Sequence, residues 1–106
     1  GRPTDGQATT IFPNGNRYDG EFSDAQRSGC GTFTFKNGRR YVGQFEQDVF
    51  HGQGIWNLEN GDRYVGGMKN GKCNGLGTYT FADGSQQRGL WWNGTLLGSR
   101  LSCDRE

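Results

Sequence analysis

Among side chains able to do chemistry, His51 is the only histidine in the 106 residues. Ser28 and Asn74 hold the same loop position one repeat away, in the periodicity described below. A site that passes from His to Ser to Asn reads as a polar loop position, not a general base. Asp19 and Glu21 alternate along a predicted strand and so share a face, where two carboxylates could do acid–base work. Their counterparts are Val42 and Gln44, then Val65 and Gly67, which favours a solvated face. The Gly-x-Gly pairs at 29–31, 52–54 and 75–77 lack the Lys-Ser/Thr and the helix of a phosphate loop. Cys30, Cys73 and Cys103 have no metal-ligand spacing. No catalytic residue, cofactor or metal site is assigned, and the chain reads as non-enzymatic.

Recognition is what remains. Arg17, Arg40 and Arg63 recur at one position of successive units, which spaces them roughly 10 Å apart across a sheet. Evenly spaced guanidiniums suit anionic headgroups, so these three are candidate phospholipid contacts. The competing reading pairs them with Asp19, Glu21, Asp62 or turn carbonyls.

These residues recur because the chain repeats with a period of 23. Tyr18, Tyr41 and Tyr64 form one column; Gly20, Gly43, Gly66 and Gly89 another. Phe22, Phe45, Met68 and Trp91 follow, then Gly31, Gly54 and Gly77, then Phe33, Trp56 and Tyr79. Of the aromatics, only Phe50 and Trp92 fall outside the pattern. Fixed-period similarity of this length marks stacked supersecondary units. Within a unit the alternation is period two, which argues strand, and strands are expected near 7–12, 17–23, 29–35, 40–46, 52–58, 63–69, 75–81 and 86–92. Asn-Gly or Asp-Gly at 14–15, 37–38, 60–61 and 83–84 signals tight hairpins. The other connection, such as Ser23 to Ser28, reads as longer and variable.

The expected fold is all-β: an elongated single-layer antiparallel sheet of stacked hairpins, about 40 Å long at the usual strand spacing. A glycine in each aromatic stripe leaves room for a ring from the neighbouring strand. The array is expected over 1–98, as a half repeat 6–17, repeats 18–40, 41–63 and 64–86, and a degraded unit 87–98. Residues 99–106 form a tail or cap. The segment 90–97 is the most apolar, so Trp92, Leu96 and Leu97 are either part of a C-terminal cap or an interface with a partner or a second copy.

Composition excludes several classes. A net charge of +1 argues against nucleic acid. No apolar run approaches the ~20 residues of a membrane span. The chain opens Gly-Arg-Pro, without Met or an apolar leader, as a fragment or processed form would. Cys30 and Cys73 would lie roughly 18 Å apart in stacked strands, too far for a disulfide. Cys103 sits in an irregular tail that could reach Cys73, but the reading taken is reduced thiols and a cytoplasmic setting.

The run Tyr-x-Gly-x-Phe, Gly-x-Gly-x-aromatic, Phe-x-Asn-Gly resembles the MORN (membrane occupation and recognition nexus) repeat from about Gly6 to Gly98. The resemblance implies hairpins stacked into a twisted, grooved sheet. It also implies a scaffold for protein contacts, a phospholipid-binding module or a regulatory part of a larger enzyme, with membrane or cytoskeletal association. Ala25 and Asp48 depart from the pattern where Gly71 and Gly94 stand, which is expected to alter that loop; Gln87 in place of Tyr is expected to end the array. Tyr18, Phe22, Phe33, Tyr41, Phe45, Trp56, Tyr64, Tyr79 and Trp91 are the expected partner-binding groove, with a peptide or helix as its occupant. A homodimer through a sheet end or the C-terminal apolar segment is the other partner considered.

Overall fold

The computed structural model describes residues 6–58 and 60–103; the outermost parts of the expected array and tail, 1–5 and 104–106, lie outside them. The alternating segments form β1 (Gly6–Ile11), β2 (Arg17–Ser23), β3 (Gln26–Thr34), β4 (Arg40–Glu46), β5 (Val49–Asn57), β6 (Arg63–Lys69), β7 (Lys72–Thr80), β8 (Gln86–Trp92) and the short β9 (Thr95–Leu96). All nine lie in one antiparallel sheet in chain order, and the molecule extends 43 Å along its longest axis. Length, layer and topology agree with the sequence reading.

The register explains the columns. Gly20, Gly31, Gly43, Gly54, Gly66, Gly77 and Gly89 are successive cross-strand partners, so they form one row across the sheet. Beside it run Tyr18, Phe33, Tyr41, Trp56, Tyr64 and Tyr79. Each ring of the Tyr18 column lies over the glycine of the following strand. A Cβ on Gly31 would fall 2.6 Å from Cε1 and 2.7 Å from Cζ of Tyr18. The phenol then donates to the carbonyl of residue 21, 44 or 67, at 2.7, 2.8 and 2.8 Å. Those are the positions where the pairing register shifts as a β-bulge. Burial of the ring and satisfaction of its hydroxyl are therefore one arrangement.

The two connections have exchanged the roles expected of them. The tight turns are Asp24-Ala25, Gln47-Asp48, Asn70-Gly71 and Asn93-Gly94, with positive φ at both residues of each pair. That is the primed geometry matching strand twist. The Asn-Gly connections are wider: Phe12 N–H donates to Asn16 O, Gly15 N–H donates back to Phe12 O, and only Gly15 has positive φ. Asn14, Asn37, Asn60 and Asp83 each accept from the N–H two residues on. Asn there caps the turn instead of supplying a positive φ. The alternation hid the tight turns because each bulge shifts its phase, so β3, β5 and β7 begin three residues before the strands expected from alternation. Ala25 and Asp48 also keep the geometry of Gly71 and Gly94, with φ of 64° and 70°, which corrects the expectation of an altered loop.

The ends differ from the repeat. Ala8 takes the glycine position in β1, opposite Gly20. At the far end Gln87 replaces tyrosine, and Leu96 Cδ1 approaches the vacated space above Gly89. The tail does fold back as a cap. Thr95 bridges to Ser102, Leu96 N–H donates to Leu101 O, and Cys103 N–H donates to Gly94 O. A Cys73–Cys103 disulfide fastens it, which overturns the reading of three reduced thiols. The inference failed because the tail's return path carries no periodic signal. Cys30 remains a free, exposed thiol. Leu96, named as an interface residue, is buried in the core at 6% exposure.

Two substitutions separate ring docking from turn strain. Gly31→Ala forces a methyl into the Tyr18 ring and should cost about 2 kcal/mol, lowering Tm by roughly 10 °C. Ala25→Gly relieves a left-handed alanine worth about 1 kcal/mol and should raise Tm by roughly 4 °C. Thermal melts of the three proteins check both signs.

Candidate functional site

The nine rings expected to line an open groove are all buried, and the four tyrosines have no exposure at all. They pack on one another edge to face: Tyr18 meets Phe22 at 5.1 Å and Phe45 at 5.0 Å, and Tyr64 meets Trp91 at 5.0 Å. A single layer hides its rings because each strand supplies the lid for the ring before it. These residues are the floor of the aromatic face, and what a partner can touch is the layer above them.

One column sets that layer. Arg27, Phe50 and Cys73 occupy equivalent positions, each one residue into β3, β5 or β7. Arg27 places its guanidinium 4.9 Å from the Phe33 ring and 5.8 Å from Phe12, an attractive cation–π geometry. It is held there by Asp48, whose carboxylate takes the Arg27 N–H at 2.7 Å and lies 3.2 Å from its Nε. Phe50 stacks flat on Tyr41 at 4.0 Å. Cys73 carries the tail. The carbonyls of these three residues accept from the next turn, from Asp48, Gly71 and Gly94, so the column also joins hairpin to hairpin. Phe50 had been set aside as lying outside the pattern; its position in register with Arg27 and Cys73 was the signal available.

Between these covers the face is open in two adjoining hollows. One, of about 230 Å³, is lined by Arg27, Phe33, Phe35, Asp48, Val49 and Phe50. The next, of about 320 Å³, shares Phe35 and Phe50 and runs past Arg39 and Trp56 to Cys103. The tail closes the face from there. Trp56 Nε1–H donates to Cys103 O at 3.1 Å, and Trp91 Nε1–H donates to Gly77 O. Asp62, buried at the rim, accepts from the Tyr79 hydroxyl at 2.7 Å and from Ala82 N–H. It therefore serves the aromatic face.

On the opposite, polar face the register does align Arg17, Arg40 and Arg63, by way of Thr34 and Asn57. All three are exposed. Arg17 is paired with Asp19, Nε to Oδ2 at 2.8 Å, and Asp19 also accepts from Thr9 at 2.6 Å. Hydrogen bonds from Arg17 and Thr9 hold the Asp19 carboxyl below its ordinary range. Glu21 accepts from Cys30 N–H, as Gln44 does from Gln53 N–H. The two carboxylates thus have separate structural partners and do not converge. His51 lies 3.2 Å from Glu46 on the surface. A cleft of about 630 Å³ follows the glycine row, among Thr9, Asp19, Cys30, Thr32 and Val42. No group of three His, Cys, Asp or Glu able to hold a metal occurs among the described residues.

A model of the MORN repeat matches the sequence three times, at residues 18–39, 41–63 and 64–86. The chain belongs to the MORN repeat family. No curated protein sequence matches it. Each complete MORN match covers one strand of the tyrosine column, the tight turn and the strand of the glycine–aromatic column. Arg27, Phe50 and Cys73, which differ in chemistry at one position of the three MORN units, shape the open part of the face.

The apolar segment 90–97 belongs to a wider exposed strip. Val65, Leu76, Leu90, Trp92 and Leu97 are exposed, with Leu76 at 69% and Trp92 at 66%. Leu76 and Leu90 are cross-strand partners on the outward face, and Leu97 N–H donates to Leu90 O. Trp92 and Leu97 were expected in an apolar contact, and both are free to make one. Val65 and Leu76, which complete the strip, were not anticipated because they come from the preceding repeat.

Burial raises the phenols of Tyr18 and Tyr64 to about 12 and moves Tyr41 upward as well. A raised tyrosine favours the neutral folded form, so its stabilisation is complete below the unfolded pKa near 10 and declines as pH rises towards 12. Alkaline titration by phenolate absorbance should leave these three un-ionised at pH 11, with ionisation above that accompanying unfolding. Normal ionisation near pH 10 would mean that the rings are not docked on the glycine row.

Proposed function

We propose that this MORN array is a non-enzymatic scaffold that binds an extended protein segment along the uncovered half of its aromatic face. The observation that carries the reading is the tail. The chain's own residues 101–103 already lie on that face, with Leu101 packed on the core, Ser102 bridged to Thr95 and the Cys103 carbonyl accepting from the Trp56 indole. The neighbouring half presents the same kind of surface without such a cover: half-buried Phe35 and Phe50, Phe12 at the margin, and Arg27 and Arg39 beside them. Extended segments bind such surfaces through alternate side chains in hollows. This narrows the nine-ring groove to the rings that a partner can reach. A cytoplasmic location is not required by this reading, because the premise of reduced thiols does not hold for Cys73 and Cys103.

Selection of displayed random peptides on the oxidised protein tests the proposal. Enriched peptides should carry alternating apolar residues, shift the amide signals around Phe35 and Phe50, and bind Phe35→Ser at least tenfold more weakly. Peptides that map elsewhere, or that ignore Phe35→Ser, would refute it.

A second reading rests on the outward strip. Leu76, Leu90, Trp92 and Leu97 are bordered by Arg63 and Arg88 on one side and by the cross-strand pair Lys69 and Lys72 on the other. Tryptophan and leucine with flanking cations suit an anionic membrane surface. In flotation with anionic vesicles, Trp92→Ser should then abolish salt-sensitive binding, whereas Arg17→Ala, Arg40→Ala and Arg63→Ala together should only weaken it. Vesicle-independent association in sedimentation would instead make the strip a contact between two copies.

A further inference from the structure

We infer that the Cys73–Cys103 disulfide is a redox latch on the binding face, held closed by oxidation and opened by a dithiol reductant. The inference rests on the reading that the aromatic face takes an extended segment. Oxidised, the tail lies across Trp56, with Cys103 forming one wall of the hollow that also contains Phe35 and Phe50. The open half of the face therefore ends where the tail begins. Opening the tail would carry the same surface on to Trp56 and Met68, which line that hollow beside Cys103.

The described part of the tail is held by a single bridge, Thr95–Ser102, made by the Leu96 N–H and Cys103 N–H bonds, together with the Trp56–Cys103 bond and the packing of Leu101 on the core. The last strand contributes only two residues. Strands β1 to β8, by contrast, are paired along most of their length, so the latch can open without the sheet. Cys73 is fully buried and Cys103 nearly so, so the tail must lift before a reductant can reach either sulfur.

The chemistry balances as dithiol exchange. A thiolate of the reductant attacks one sulfur, the S–S bond breaks, and the departing cysteine thiolate takes a proton. The reductant's second thiolate then expels the remaining cysteine. Two electrons pass to the pair, and the reductant leaves as its own cyclic disulfide.

Indole hydrogen exchange reads the latch directly, because Trp56 bonds to the tail and Trp91 bonds to Gly77 within the sheet. In protein reduced with dithiothreitol, and separately in Cys103→Ser, exchange at Trp56 Nε1–H should rise at least tenfold while Trp91 Nε1–H and the sheet amides keep their protection. The peptides selected on the oxidised protein should then bind the reduced form at least tenfold more tightly. Unchanged Trp56 exchange in both forms would overturn the latch. So would simultaneous loss of protection at Trp56, Trp91 and the sheet, which would make the disulfide a brace for the whole fold. Release of Trp56 with no change in peptide affinity would overturn the control of binding while leaving the site in place. Peptide binding by neither form would refute the site itself, and the exchange data would still decide whether the tail moves.

Discussion

The fold depends on one contact: a tyrosine ring laid over a glycine on the next strand, with its hydroxyl spent on a bulge carbonyl. Removing the side chain from one strand makes room for the ring of another, so a sheet with no second layer still acquires an interior. The bulge follows from the same contact, because residues 21, 44 and 67 must turn their carbonyls towards the phenol. Neither partner can change alone. A methyl on the glycine evicts the ring, and loss of the ring leaves a hole and an unsatisfied carbonyl. This mutual requirement is why both residue types recur with so little variation in this chain.

Because those positions are committed to structure, differences between repeats have to be carried elsewhere. The column Arg27, Phe50, Cys73 sits above the rings and tolerates a cation, an aromatic or a thiol, since it only has to cover what lies beneath. Each choice gives its repeat a different upper surface: a guanidinium braced by Asp48, a flat ring on Tyr41, or an anchor for the tail. Uniform units thus make a non-uniform face. The tight turns join adjacent repeats through the carbonyls of the same column, so local identity and global stacking meet at one position.

The sheet, its length, its strand order and the glycine–aromatic interlock were legible in the sequence, because each repeats and each has a single physical interpretation. The turns were only half legible. Asn-Gly suggests a two-residue hairpin, but here Asn14 caps a wider turn, while Ala25 and Asp48 take the positive φ that glycine would adopt more readily. The binding face was legible as aromatic but not in what it exposes. Whether a ring such as Tyr41 is floor or wall depends on Phe50, which shares no chemistry with its equivalents Arg27 and Cys73. The tail was legible as a cap, but not its docking on Trp56 or its disulfide, because a single thirty-residue link has no second copy to reveal it.

Ala8 adds a consequence for assembly. An open sheet edge is ordinarily a template, and a chain made of like units has every means of recruiting more of them. Ala8 is the one position in that row, among the described strands, where a methyl stands in place of a glycine. A strand paired to β1 with a tyrosine in the repeat's register would meet that methyl where Gly31 and Gly54 leave room for the rings of Tyr18 and Tyr41. Pairing at β1 in register is therefore selective: one carbon atom disfavours a strand that carries the tyrosine and spares one that lacks it, as β8 does with Gln87.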